Sequence, residues 1–189
     1  MRVDATPEAI DRATDRLIRL ANRLLDTSRI EKGKVAPDRK ETELSVLLAR
    51  VVQETRSSGS DVTRNVDLRG DETAEIDQEM MMNILTVLID NAIKYSPDGG
   101  EVDISCESIG GETVFSVADS GPGIPEKDRE LVFERFYQVE DVEHHSLPDI
   151  GLGLNIATTY VDAQGGWIMC EERRGGGSTF SFGIPSPDG

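Results

Sequence analysis

Apolar residues recur every three or four positions at the start of the chain. Ile10, Ala13, Leu17, Leu20 and Leu24 form one stripe, widened by Ile18 and Ala21. The period predicts an amphipathic helix over about 7–30, opened by Thr6-Pro7 and ended by Glu31-Lys32-Gly33-Lys34. Such a stripe either packs on its own domain or meets a partner helix, and its heptad-like spacing favours the partner. Residues 34–43 read as a short strand or linker. A second helix opens at Thr42-Glu43 and runs to about Thr55, with Leu44, Leu47, Leu48 and Val51 on one face. Ser57-Ser58-Gly59-Ser60 marks a turn, and strands are expected over 62–68 and 73–76. Asp77 suits the N-cap of a long helix to about Lys94, whose face carries Met80, Met81, Ile84, Leu85 and Leu88 as core filling.

Beyond Gly99-Gly100 the period shifts to two. Residues 101–106 and 113–118 alternate around Gly110-Gly111, and 167–172 and 179–184 flank Gly175-Gly176-Gly177, which predicts two antiparallel hairpins. Between them lie a short helix over about 126–133, an aperiodic loop over 138–150 and a helix over about 152–163. This succession predicts an α/β (α+β) fold. It is a two-layer sandwich of a mixed, mostly antiparallel sheet and helices, preceded by the N-terminal amphipathic helix. The chain reads as two parts, 1–33 and 34–189.

The 189 residues suffice for one ordinary core with a short appendage. A formal net charge of −16 argues against nucleic acid as a partner, and any anionic ligand needs local cations. Cys106 and Cys170 lie in strand-like runs without metal-ligand spacing, so buried thiols are favoured over a disulfide. No apolar run is long enough to span a bilayer and no signal-peptide core is present. The expectation is a cytoplasmic chain, or the cytoplasmic piece of a larger, membrane-anchored one.

Several polar residues stand where chemistry is expected. Asn91, on the long helix, is either a surface amide or an oxygen ligand for Mg²⁺. Lys94, one turn on, can reach a phosphate as a point charge. Tyr95 either packs in the core or covers a planar ring. Asp119 ends an apolar strand and opens Asp119-Ser120-Gly121-Pro122-Gly123. That segment is good turn chemistry, yet an ionised carboxylate also accepts from an amino group, and Gly121 and Gly123 permit close approach. Gly151-Leu152-Gly153-Leu154 opens a helix whose free N–H groups make an anion site. Arg135 is either a solvated arginine or a further phosphate contact.

Asp90-Asn91-Ala92-Ile93-Lys94-Tyr95, Asp119-Ser120-Gly121-Pro122-Gly123-Ile124 and Gly151-Leu152-Gly153-Leu154 resemble the N, G1 and G2 boxes of sensor histidine kinases. Phe133-Glu134-Arg135-Phe136-Tyr137 resembles their F box. The resemblance spans about 10–184. It implies a catalytic ATP-binding domain with a lid loop, ATP and Mg²⁺ as cofactors, and a response regulator as partner. By the same resemblance Asn91 holds the metal, Asp119 selects adenine and Arg135 approaches the terminal phosphate. Residues 10–33 resemble the second helix of a dimerisation bundle, which implies a homodimer. The acceptor histidine of that bundle has no counterpart before His144, so the chain is not expected to phosphorylate itself.

The chain also departs from the family. Asp149 and Ile150 stand where the G2 box usually has Gly-Thr or Gly-Ser, and Glu140, Asp141 and Glu143 precede them. Negative charge near a triphosphate opposes binding. This departure supports an alternative, a degenerate regulatory module of the same fold with weak or no nucleotide binding. Val87 stands where the gyrase-type relatives carry a general-base glutamate, which argues against efficient hydrolysis.

Overall fold

The computed structural model describes residues 36–55, 62–139 and 151–187. The helix expected over 7–30, the turn at 57–60, His144, His145, Asp149 and Ile150 lie outside the described residues. The chain from Pro37 onward forms one compact unit.

Strand β1 (Lys40–Glu43) leads directly into helix α1 (Leu44–Thr55). Strands β2 (Thr63–Arg69) and β3 (Thr73–Ile76) precede helix α2 (Gln78–Tyr95). Strands β4 (Glu101–Ile109) and β5 (Glu112–Ala118) follow, then helix α3 (Gly153–Ala163) and strands β6 (Trp167–Glu172) and β7 (Ser178–Pro185). Five strands form one sheet in the order β2-β4-β5-β7-β6. Only β2 and β4 run parallel. β1 and β3 form a separate antiparallel pair.

The sheet buries one face. In register, Ile104, Val117, Phe180 and Cys170 make one row, and Cys106, Phe115, Phe182 and Ile168 the next. The Phe115 and Phe182 rings stack at 5.1 Å. Cys106 and Cys170 are buried and free, and burial pushes both thiols up to about 12. They stand three strand spacings apart, roughly 14 Å, too far for a disulfide. On the outer face the Trp167 indole lies over Gly183, where a Cβ would come within 2.6 Å of Nε1. That nitrogen donates to Glu112 Oε2 at 2.8 Å.

The helices cover the inner face. α2 is buried beyond the predicted stripe: Met82, Val87 and Ile89 join Met80, Met81, Ile84, Leu85 and Leu88. Its flanks meet α1 and α3 as well as the sheet. Asp77 caps it as expected, with Oδ1 accepting from the Glu79 and Met80 N–H groups at 3.0 Å. Oδ2 takes the Asp38 N–H at 2.8 Å, and the Asp77 N–H donates to Gln164 Oε1 at 2.9 Å. The N-terminus of α2 is thereby tied to the segment before β1 and to the end of α3. Ser96, extended before Pro97, stops the helix.

Some boundaries differ from the sequence reading. Thr42 and Glu43 pair in β1, so α1 starts at Leu44, whose N–H donates to Glu72 O at 2.9 Å. The first hairpin is longer and closes over Gly110 (φ 61) and Gly111 (φ 85), both in the left-handed region that glycine tolerates. The helix expected over 126–133 is two 3-10 turns, Glu126–Asp128 and Leu131–Phe133. The Arg129 side chain donates to Ile124 O and Tyr137 OH to Asp128 Oδ1, which hold this stretch in tight, locally bonded turns. α3 begins at Gly153, with Leu152 as its cap.

Asp77→Ala removes the acceptor of three backbone N–H groups, at 8% exposure. It is expected to cost about 2 kcal/mol of unfolding free energy, read from urea denaturation. Asp77→Asn, which keeps one acceptor oxygen, should retain part of it.

Candidate nucleotide site

The candidate residues gather around the C-terminal half of α2. Asn91 is half-buried there, and no described residue bonds its side-chain amide. One turn on, Lys94 Nζ sits 4.7 Å from the centre of the Tyr95 ring and donates to its hydroxyl at 3.2 Å. The two side chains therefore face each other. Val87, one turn before Asn91, is buried against the start of α3, where a Cβ on Gly153 would lie 3.3 Å from its Cγ1.

Asp119 follows β5 at 5% exposure. Its Oδ1 accepts from the Gly121 N–H at 2.8 Å and the Ser178 N–H at 3.2 Å. Oδ2 is bonded by no described residue and is not sealed from solvent. Burial raises the Asp119 carboxyl above its usual value. The Gly121 and Ser178 N–H groups and the nearby Arg173 charge pull it back down. One oxygen is thus fixed by the protein and the other is offered outward.

Gly121 fits because a Cβ there would meet Tyr95 O at 2.7 Å and Asp119 Oδ1 at 2.9 Å. This packs the turn after β5 onto the end of α2. The Ser120 N–H adds a bond to Ser96 Oγ at 3.2 Å. Gly123 (φ 80) faces away from that contact, since its Cβ would meet Gly177 O at 3.2 Å. With Pro122, Ile124, Pro125, Arg129, Gly176 and others it lines a cleft of about 570 Å³ beside the β6–β7 turn.

α3 opens without a side-chain cap. No described residue bonds the N–H groups of Gly153, Leu154 and Asn155. Leu152 is buried and anchors the turn. Gly151 (φ 68) sits against Phe136 and Tyr137, and its carbonyl accepts the Phe136 N–H at 2.8 Å. Phe136 itself has φ 66 and is 67% exposed. Arg135 Nε donates to Asn155 Oδ1 at 3.0 Å, and Asn155 Nδ2 donates to Phe133 O at 3.1 Å. Arg135 is thereby held at the first turn of α3.

Sequence reasoning missed Asn155, Arg173, Ser178 and Gly177. Asn155 was within reach, as the position after Gly151–Leu154 on the helix. The others come from the far hairpin, and nothing local marks them. A side chain on Gly177 would collide with the Asp119 carbonyl.

Residues 76–188 match the family of histidine kinase-, DNA gyrase B- and HSP90-like ATPases. The chain belongs to that family. This ATPase domain is of the sensor histidine kinase type, as its relatives are. Sensor histidine kinase WalK of Bacillus subtilis (strain 168) is 37% identical over 177 residues, covering 91% of this chain and 29% of WalK. The full-length structure of ShkA in complex with AMPPNP superposes with a TM-score of 0.75 at 27% identity, covering 95% of this chain and 38% of ShkA. Histidine kinase ThkA in complex with response regulator protein TrrA gives a TM-score of 0.70 at 27% identity, covering 98% of this chain and 53% of that one. The domain spans less than a third of the curated relatives it matches. Among its described residues no helix is long and apolar enough to cross a membrane.

The raised Asp119 carboxyl has a measurable signature. With a folded-state pKa above the unfolded one, the ionised form costs stability at neutral pH. That cost fades as pH falls through the raised folded value. Asp119→Asn takes up no such proton. The parent domain is expected to gain stability relative to Asp119→Asn as pH drops from about 7 towards about 4. Urea midpoints of the two proteins across that range check it, and a flat difference contradicts a buried carboxylate.

Proposed function

We propose that this domain binds Mg-ATP and donates the γ-phosphoryl group to a histidine on a dimerisation bundle, for relay to an aspartate of a response regulator. The observation that carries the reading is the Asp119 carboxylate, with Oδ1 held by two backbone N–H groups and Oδ2 open. It suits the exocyclic amino group of adenine, which donates. The AMPPNP bound to ShkA and the regulator bound to ThkA support the same assignment.

In this reading each residue has a limited task, because phosphoryl transfer asks the protein chiefly for positioning and charge neutralisation. Tyr95 covers the base, and Gly121 and Gly123 allow the backbone to approach it. Lys94, Arg135 and the N–H groups of the Gly151–Leu154 turn take the phosphates. Asn91 is the metal ligand. Among the described residues no three His, Cys, Asp or Glu side chains form a cluster able to hold a metal. An Asn91 amide that no described residue bonds fits a cation that arrives on the phosphates, with few protein oxygens. Mg²⁺ bound there would neutralise charge on the transferring group. Val87, packed against α3, offers no base to activate water, which favours transfer over hydrolysis.

The Leu17-Leu20-Leu24 stripe would supply a homodimer contact. A cytoplasmic location follows from the proposed substrates. A second reading, a regulatory module with weak nucleotide binding, draws on Asp149, Ile150 and the acidic residues before them.

Calorimetric titration separates the two. The parent is expected to bind Mg-ADP, and Asp119→Ala to lose binding by about a hundredfold or more, as a charge-assisted contact disappears. Asn91→Ala should lose mainly the Mg²⁺-dependent part of the affinity. A parent that binds no nucleotide favours the regulatory module. With γ-labelled ATP the chain alone should gain no acid-labile, base-stable label. A two-helix bundle bearing the acceptor histidine should become labelled in trans.

A further inference from the structure

Arg173, just beyond β6, carries the best-connected side chain near Asp119, and the proposed mechanism gives it no task. It is only 22% exposed. Nη1 donates to the Asp119 carbonyl at 3.0 Å and to Ser120 Oγ at 2.8 Å. Nη2 donates to Asp103 Oδ2 at 2.5 Å. The Ser120 hydroxyl is saturated, because it also accepts the Glu101 N–H at 3.1 Å and donates to Glu101 O at 2.7 Å. One guanidinium thus joins the β6–β7 turn to the start of β4 and to the residue pair that opens the turn after β5.

We infer that Arg173 is a positioning residue for base selection. Its guanidinium fixes the Asp119–Ser120 backbone so that Oδ2 of Asp119 is aimed at an exocyclic amino group, favouring adenine over guanine nucleotides. The inference rests on the nucleotide reading of this site. Oδ1 is already fixed by Gly121 and Ser178, so the direction of Oδ2 follows the backbone that carries it. Ser178 and Arg173 hold that backbone from the same hairpin, at its N–H and its carbonyl.

The planar fork of arginine suits three acceptors in fixed directions, and an ammonium does not reproduce it. Water can replace the lost donors near Asp103, which is 43% exposed, so the fold survives without Arg173. Water does not fix a direction. The arginine charge also favours the ionised carboxylate. An ionised carboxylate accepts from the adenine amino group and is repelled by guanine O6, whereas a neutral carboxyl can donate to O6.

The test compares affinities for Mg-ADP and Mg-GDP, read by competition with a fluorescent ADP analogue well below each protein's unfolding temperature. Arg173→Ala is expected to lower the ADP-to-GDP affinity ratio by about tenfold. Arg173→Lys should recover little of it. Asp103→Asn, which leaves Arg173 in place but loosens it, should lower the ratio by about threefold, and it carries the test if Arg173→Ala does not fold. Equal losses for both nucleotides, or an unchanged ratio, overturn the proposal and leave the site reading intact. A parent chain that binds no ADP overturns the site reading and this proposal with it.

Discussion

A carboxylate buried beside the central strand sets the terms for its surroundings. Removing Asp119 from water disfavours its charge, and two backbone N–H groups on one oxygen offset part of that cost. Those donors must come close, so the residues beside it must be small. Gly121 and Gly177 both stand where a Cβ would strike Asp119 or its immediate neighbours. The turn after β5, the end of α2 and the β6–β7 turn therefore converge on one side chain. The open oxygen exists because the other one is committed.

Helix α2 transmits that arrangement across the domain. Its C-terminal half carries Asn91, Lys94 and Tyr95 and touches both the turn after β5 and the start of α3. Its N-terminal end is fastened through Asp77 to Asp38 and Gln164. Arg39 reinforces the same corner by donating to the carbonyls of Pro185 and Gln164. The segment entering the domain is thus bonded to the far end of the helix that carries the proposed metal ligand.

Much of this was legible in the amino-acid order, for local reasons. Alternation gave β4, β5, β6 and β7, and the three-to-four spacing gave α1 and α2, because each element buries one face and shows its period. Asp77 announced its helix because capping is a short-range bond. The ordered motifs placed Asn91, Asp119 and Gly151–Leu154 on a helix, after a strand and at a helix start. What stayed hidden depended on distance. The pairing of β1 with β3 joins a segment that reads as a strand or linker to a short expected strand, and nothing local marks them as partners. The parallel pairing of β2 with β4 needs α2 as its crossover, and no local signal carries it. Arg173 reaches Asp119 from 54 positions away. Glu126–Phe133 has helical composition, yet the side chains of Arg129 and Asp128 bind nearby partners and tighten it into 3-10 turns.

The outer face of the sheet has a spectroscopic consequence. The chain holds a single tryptophan, Trp167, pinned over Gly183 and hydrogen-bonded to Glu112 on the side away from the helices. Its emission therefore reports whether β5, β6 and β7 remain in register. Events at Asn91 and the start of α3 take place across the sheet, behind the Phe115–Phe182 layer. The native emission of this indole follows the integrity of the sheet, whereas a ligand bound on the helical side shows in its melting curve as a raised midpoint, because residues from Pro37 onward form one compact unit.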